Sequence, residues 1–161
     1  MEFEDVISDL LSRDTHKVWI ASNEIIKRSQ DYGFIKPFIK KLRVIEKKTK
    51  NLDMGGAIAP NKRFVDKTIQ IIKFYKKQLG CPCELYHTNE TSFVYDGFDP
   101  RKENEKSNIR ILTEIKGDWM FDYTVECLKC GQHYEVMERN GHNTWWKWKK
   151  IKTKHNNGEH S

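Results

Sequence analysis

The sequence lacks any apolar run near the ~18 residues that a membrane span requires. Its start, Met1-Glu2-Phe3-Glu4-Asp5, is acidic and has no basic segment leading into an apolar one, so no secretion signal is read there. A soluble, cytoplasmic protein is expected. No phosphate-binding loop is present: Gly55-Gly56 lies in an apolar-lined loop over 52–61, but no lysine-serine follows. No serine-histidine-acid order stands out. Asp96, Asp99 and Glu114 are scattered, and His16, His87, His155 and His160 show no partner pattern. The expectation is therefore not an enzyme. Cysteine is scarce, with four in 161 residues, and none is left over from two close pairs.

Those pairs are Cys81-Pro82-Cys83 and Cys127-Leu128-Lys129-Cys130-Gly131. A Cys-x-x-Cys segment puts two sulfurs on one side of a tight turn, and Gly131 suits the positive φ such a turn often needs. In a chain with no secretion signal, paired cysteines read as metal ligands before disulfides. Four thiolates make a closed tetrahedral zinc site, which holds structure and leaves no position for water. Structural Zn²⁺ on Cys81, Cys83, Cys127 and Cys130 is thus expected. The alternative is four buried thiols acting as small apolar side chains. His133 and His142 lie near the second pair and are the substitute ligands.

The net charge is +6, and it is uneven. Residues 1–80 carry 17 Lys and Arg against 10 Asp and Glu, whereas 81–161 carry 12 against 13. A basic first half permits nucleic acid or an acidic protein as partner, or is simply a solvated lysine-rich surface.

Apolar spacing predicts helices first. Phe3, Val6, Ile7, Leu10 and Leu11 mark one over 2–12. Asp14 is placed to cap a second over 15–29, with Val18, Ala21, Ser22, Ile25 and Ile26 inward. Gly33 is read as its stop. Pro37 is then read in the first turn of a third helix that buries Ile35, Phe38, Ile39, Leu42 and Ile45. The fourth covers 62–79. Val65, Ile69, Ile72 and Lys76 form one row, with Ile71, Tyr75 and Leu79 close by, and Gly80 is the stop. Residues 1–80 are therefore read as a four-helix segment similar to a HEAT-like array.

After residue 80 the period changes to two. Residues 83–87 are read as a short strand and 88–107 as a polar loop. Ile109, Ile111, Thr113 and Ile115 alternate, as do Phe121, Tyr123, Val125 and Cys127. Tyr134 and Val136 follow the second cysteine pair, Arg139-Asn140-Gly141 is a hairpin turn, and residues 144–151 close the set. The fold expected is α+β: a helical region at 1–80, a zinc-ribbon-like antiparallel sheet at 81–152 and a frayed tail at 153–161.

The closing strand, Trp145-Trp146-Lys147-Trp148-Lys149-Lys150, puts Trp146 and Trp148 on one face and Trp145 and Lys147 on the other. One face must be core. The other fits a protein partner, stacked bases, or a lysine-guarded sheet edge.

Together these features resemble a bacterial family. It pairs a helical segment with Cys-x-Cys, Cys-x-x-Cys-Gly and an ending that here reads Tyr134, Val136, Glu138, His142, Thr144, Trp145, Trp146, Lys147 and Trp148. That family resembles immunity proteins of polymorphic or contact-dependent toxin systems. The resemblance implies a non-catalytic protein that neutralises a toxin by binding it, with Trp145, Trp146, Lys147 and Trp148 as partner-binding residues. The basic first half departs from the acidic surface common among immunity proteins that block nucleases. The alternative is a regulatory, nucleic-acid-binding zinc ribbon. No small-molecule substrate and no membrane partner is expected.

Overall fold

The computed structural model describes residues 1–56, 61–87 and 97–152. Part of the 52–61 loop, the start of the 88–107 stretch and the 153–161 tail lie outside the described residues, as do Asp96, His155 and His160. The protein is α+β, with helices first and a four-stranded antiparallel sheet after them. It forms two compact units, Met1–Tyr95 and Asp96–Ser161. No helix among the described residues is long and apolar enough to cross a membrane.

The first unit holds α1 (Phe3–Leu11), α2 (Thr15–Lys27), α3 (Tyr32–Ile39), α4 (Leu42–Thr49) and α5 (Lys62–Lys77). Asp14 caps α2 as expected: its carboxylate accepts from the N–H groups of His16 and Lys17, both at 3.1 Å. Val6, Leu10, Val18, Ile25, Ile35 and Phe38 are fully buried.

Three local readings are corrected here. Gly33 does not stop α2. It lies in the first turn of α3, which Asp31 caps by accepting from Phe34 N–H at 3.1 Å. The expected third helix is two helices, α3 and α4, with a break at Lys40-Lys41. Pro37 lies inside α3, beyond its first turn. There it removes an intrahelical hydrogen bond, and α3 ends two residues later, at Ile39. The fourth expected helix, now α5, ends at Lys77, because Gln78 adopts the left-handed conformation with φ 52° and caps it before Gly80. Its buried face carries Phe64, Thr68, Ile71 and Tyr75, so Leu79 stays 58% exposed.

Residues 82–86 are not a strand. They form a 3₁₀ turn with Pro82 in its first position, where a missing N–H costs nothing. Leu85 and Tyr86 are buried, and Lys67 Nζ of α5 donates to Leu85 O at 3.1 Å.

The second unit opens with α6 (Pro100–Glu105), a helix inside the stretch expected to be loop. Asp99 caps it and Pro100 supplies its first position. The sheet follows as β1 (Ile109–Lys116), β2 (Met120–Cys127), β3 (His133–Asn140) and β4 (Thr144–Lys150), paired in sequence order. Tyr123, Val125, Tyr134, Val136 and Trp148 make its core. The expected alternation in β1 breaks at a bulge between Ile111 and Thr113. Before the bulge Ile111 pairs with Val125, on the core face; after it Ile115 pairs with Asp122, on the opposite face. Hence Ile109 is buried while Ile115 is 68% exposed. Shifting register by one residue turns every later side chain over.

Candidate metal centre

Each cysteine pair sits on a turn that the surrounding chain fixes. In the first, Glu84 N–H donates to Cys81 O at 3.0 Å, and the Gln30 side-chain amide donates to Pro82 O at 2.9 Å. In the second, β2 ends on Cys127. The backbone then closes on itself: Gly131 N–H donates to Cys127 O, and Cys127 N–H to Gln132 O, both at 2.8 Å. Gly131 has φ 79°, a conformation that a side chain would strain. Lys129 N–H donates to Cys127 Sγ at 3.4 Å.

The four Sγ atoms all lie within 4.8 Å of one another. Cys83 and Cys127 are buried, Cys81 is half-buried and Cys130 exposed. A tetrahedral ion with Zn–S near 2.3 Å separates its sulfurs by about 3.8 Å, so the cluster fits a single ion with little adjustment. Two of these sulfurs are out of water, and four like charges in so small a volume need a cation to ionise together. The donor set is all sulfur, which suits a soft or borderline metal and not magnesium or calcium.

The neighbouring polar groups are sited around the first turn. Burial first, then the negative charges of Asp31 and Cys81, push the Tyr75 phenol well above its ordinary range. Its hydroxyl therefore stays protonated and donates to Ser29 O at 2.6 Å. Burial also lowers the Lys67 ammonium to about 8. His133 and His142 stand outside the sulfur cluster. His133 instead has Nε2 3.9 Å from Glu126 Oε1.

The tryptophan strand divides as its alternation requires. Trp148 is 5% exposed and its indole N–H donates to Phe98 O at 2.9 Å. Trp146 lies on the same face, half-buried, and donates to Glu138 Oε1 at 2.7 Å. Trp145 and Lys147 are exposed on the other face, so these two alone of the four reach solvent freely. Gly97 passes against this strand. A Cβ there would stand 2.1 Å from Trp146 O, so only glycine fits.

The open face of the sheet is where sequence reasoning missed most. Ile115, Met137 and Lys147 border a concavity of about 800 Å³ that runs across all four strands. Met120 pairs with Arg139, and Arg139 with Trp145, which brings Met120 and Trp145 to one end of that face. Trp119 beside them is 75% exposed. The clue was Met120 and Trp119 next to a turn, but Ile115 could be placed only by the bulge.

No protein-family model matches the chain, and no curated protein or solved structure matches it either.

Proposed function

We propose that this chain is a non-catalytic, protein-binding protein of the bacterial cytoplasm, with one structural zinc ion held by Cys81, Cys83, Cys127 and Cys130. The observation that carries it is the gathering of four thiol sulfurs within 4.8 Å. Zinc bound there would have all four positions filled by the protein, so it would supply folding energy and no reactive water. What remains to act is surface. Ile115, Met120, Met137 and Trp145 are large apolar side chains left 38% to 68% exposed around the concavity on the sheet. Such a set, with Lys147 at its rim, has the aromatic and methionine character of a protein interface.

The partner is read as a toxin that this protein neutralises by covering it, in the manner of an immunity protein. On that reading the helices act as a HEAT-like scaffold and the sheet as a zinc-ribbon-like platform. Trp146 and Trp148 then support the interface from behind, and Trp145 and Lys147 touch the partner.

The test has two parts. Metal analysis of purified protein is expected to give one zinc per chain. Co-expression with the product of the adjacent gene is expected to give a stable complex on size exclusion, weakened by about tenfold or more in Trp145→Ala. Absence of zinc, or no complex with any neighbouring gene product, would overturn the reading. Retention on DNA that falls steeply with salt would favour a nucleic-acid-binding ribbon instead.

A further inference from the structure

The basic excess of residues 1–80 falls partly on a surface with a definite shape. While α5 buries Phe64, Thr68, Ile71 and Tyr75, its opposite stripe carries Lys62, Asp66, Ile69, Lys73 and Lys77 at three- and four-residue steps. Two depressions lie along that stripe. One, of about 490 Å³, is bordered by Lys47, Lys50 and Lys62. The other, of about 320 Å³, is bordered by Lys73 and Lys77, with Ile69 and Leu79 offering apolar surface. Asp66 lines both, so the two adjoin there. The 16 residues of α5 make a groove about 24 Å long. Among the described residues, five lysines border it against two carboxylates, Glu46 and Asp66, and Glu46 is already held by Lys73 Nζ at 2.9 Å.

We infer that this groove is a docking site for an acidic amphipathic helix of a partner protein. The groove has the length of about four helical turns, a cationic rim and an apolar strip at one end. A helix with apolar residues at i, i+4 and i+7 would lay them on Ile69 and Leu79, and its carboxylates would meet Lys47, Lys50, Lys62 and Lys77. A nucleic-acid backbone fits less well. Asp66 stands at the middle of the track, where a phosphate would pass. The ring of Phe74, the aromatic residue lining the groove among the described residues, is 6% exposed and offers no base a stacking surface. The leucine at position 79 explains itself in the same way: it lies just past a helix end, more than half exposed, beside lysines on the same side.

The inference rests on the proposed reading only in that the chain works by binding proteins. The probe is therefore a designed peptide and not the toxin. A fluorescein-labelled helix of about 16 residues, with Leu at i, i+4, i+7 and i+11 and mostly Glu elsewhere, is titrated with the full-length protein and followed by anisotropy at low salt. Saturable binding is expected. It should weaken by about thirtyfold in the exposed-lysine variant Lys50→Glu/Lys62→Glu/Lys77→Glu and by about fivefold in Leu79→Ser, with helical circular dichroism unchanged. A scrambled peptide of the same composition should bind at least about tenfold more weakly. No saturation by about 1 mM peptide, equal binding by the scrambled peptide, or unchanged affinity in both variants would overturn the inference. So would single-stranded DNA that displaces the peptide and loses affinity in the lysine variant, which would make the groove a nucleic-acid surface. Zinc content and toxin binding are read separately, so failure here leaves the metal-centred reading standing.

Discussion

The helical unit and the sheet unit bury different things. In residues 1–95 the core is aliphatic and thick: Ile25, Ile35, Phe38, Ile45, Ile71 and Ile72 are all within 2% of full burial. In residues 96–161 the core is thin and partly polar. Beside Val125 and Val136 it encloses Tyr123, Tyr134 and the carboxylate of Glu138, which is 1% exposed. Glu138 accepts from Arg101 Nη2 at 2.6 Å and from the Trp146 indole at 2.7 Å. Tyr123 Oη is buried without a hydrogen-bond partner among the described residues. A unit with few apolar side chains and a buried charge has little margin from packing. A metal is the cheapest supplement for such a unit, and two of the four cysteines belong to it.

The largest expected effect follows. If the proposed metal is bound, stripping it, or the substitution Cys127→Ser, should unfold the sheet and leave the helices. Structural zinc contributes on the order of 10 kcal/mol in small peptides, more than a thin sheet core can replace. Four of the five tryptophans lie in residues 96–161, so near-ultraviolet circular dichroism should collapse while the helical signal at 222 nm persists. Loss of both signals together would erase the contrast between the units, and loss of neither would remove the metal from the account.

The second effect belongs to the helical unit and turns on its one deeply buried lysine among the described residues. Lys67 is 3% exposed, and burial lowers its ammonium from 10.5 to about 8. Between these values the unfolded chain binds the proton and the folded chain does not. Stability of this unit should therefore rise with pH from about 8 to 10.5, by roughly 3 kcal/mol at most, and the gain is lost again as pH falls through the folded value. Lys67→Met should flatten that slope, measured by urea unfolding followed at 222 nm. A slope that survives the substitution would assign it elsewhere.

The smallest effect sharpens the other side. Arg101→Ala leaves Glu138 buried with the indole as its remaining strong donor. A fully buried pair broken this way costs ~3–5 kcal/mol, but Arg101 is 48% exposed, so about 2 kcal/mol is expected. Tryptophan fluorescence of the protein under denaturant reports it. A change below ~0.5 kcal/mol would mean the sheet does not depend on its buried polar network.

How much of this was legible beforehand depended on the range of the interaction. Phe121, Tyr123, Val125 and Cys127 declared their strand and its inner face, because alternation is local. Asp14 declared its cap for the same reason. Asp99-Pro100 carried an equally local signal for α6, a capping carboxylate before a proline, but the charges after it read as loop. The split of α3 from α4 was harder. Apolar spacing runs on through Phe38, Leu42 and Ile45, all buried, while the backbone breaks at Lys40-Lys41. The bulge in β1 could not be read, since nothing within 109–116 says which residue is extra; only pairing with β2 decides it.

The sequence by itself determined the chemistry available: four sulfur donors in two pairs, a basic first half, helices then strands. These are properties of residue type and spacing, and they hold wherever the chain goes. Tertiary structure decided that the sulfurs meet within 4.8 Å, that Trp148 is enclosed while Trp145 is open, and that Leu79 remains in solvent. Those outcomes depend on contacts between residues far apart along the chain, whose closure is set by the packing of whole elements and not by any neighbour in sequence.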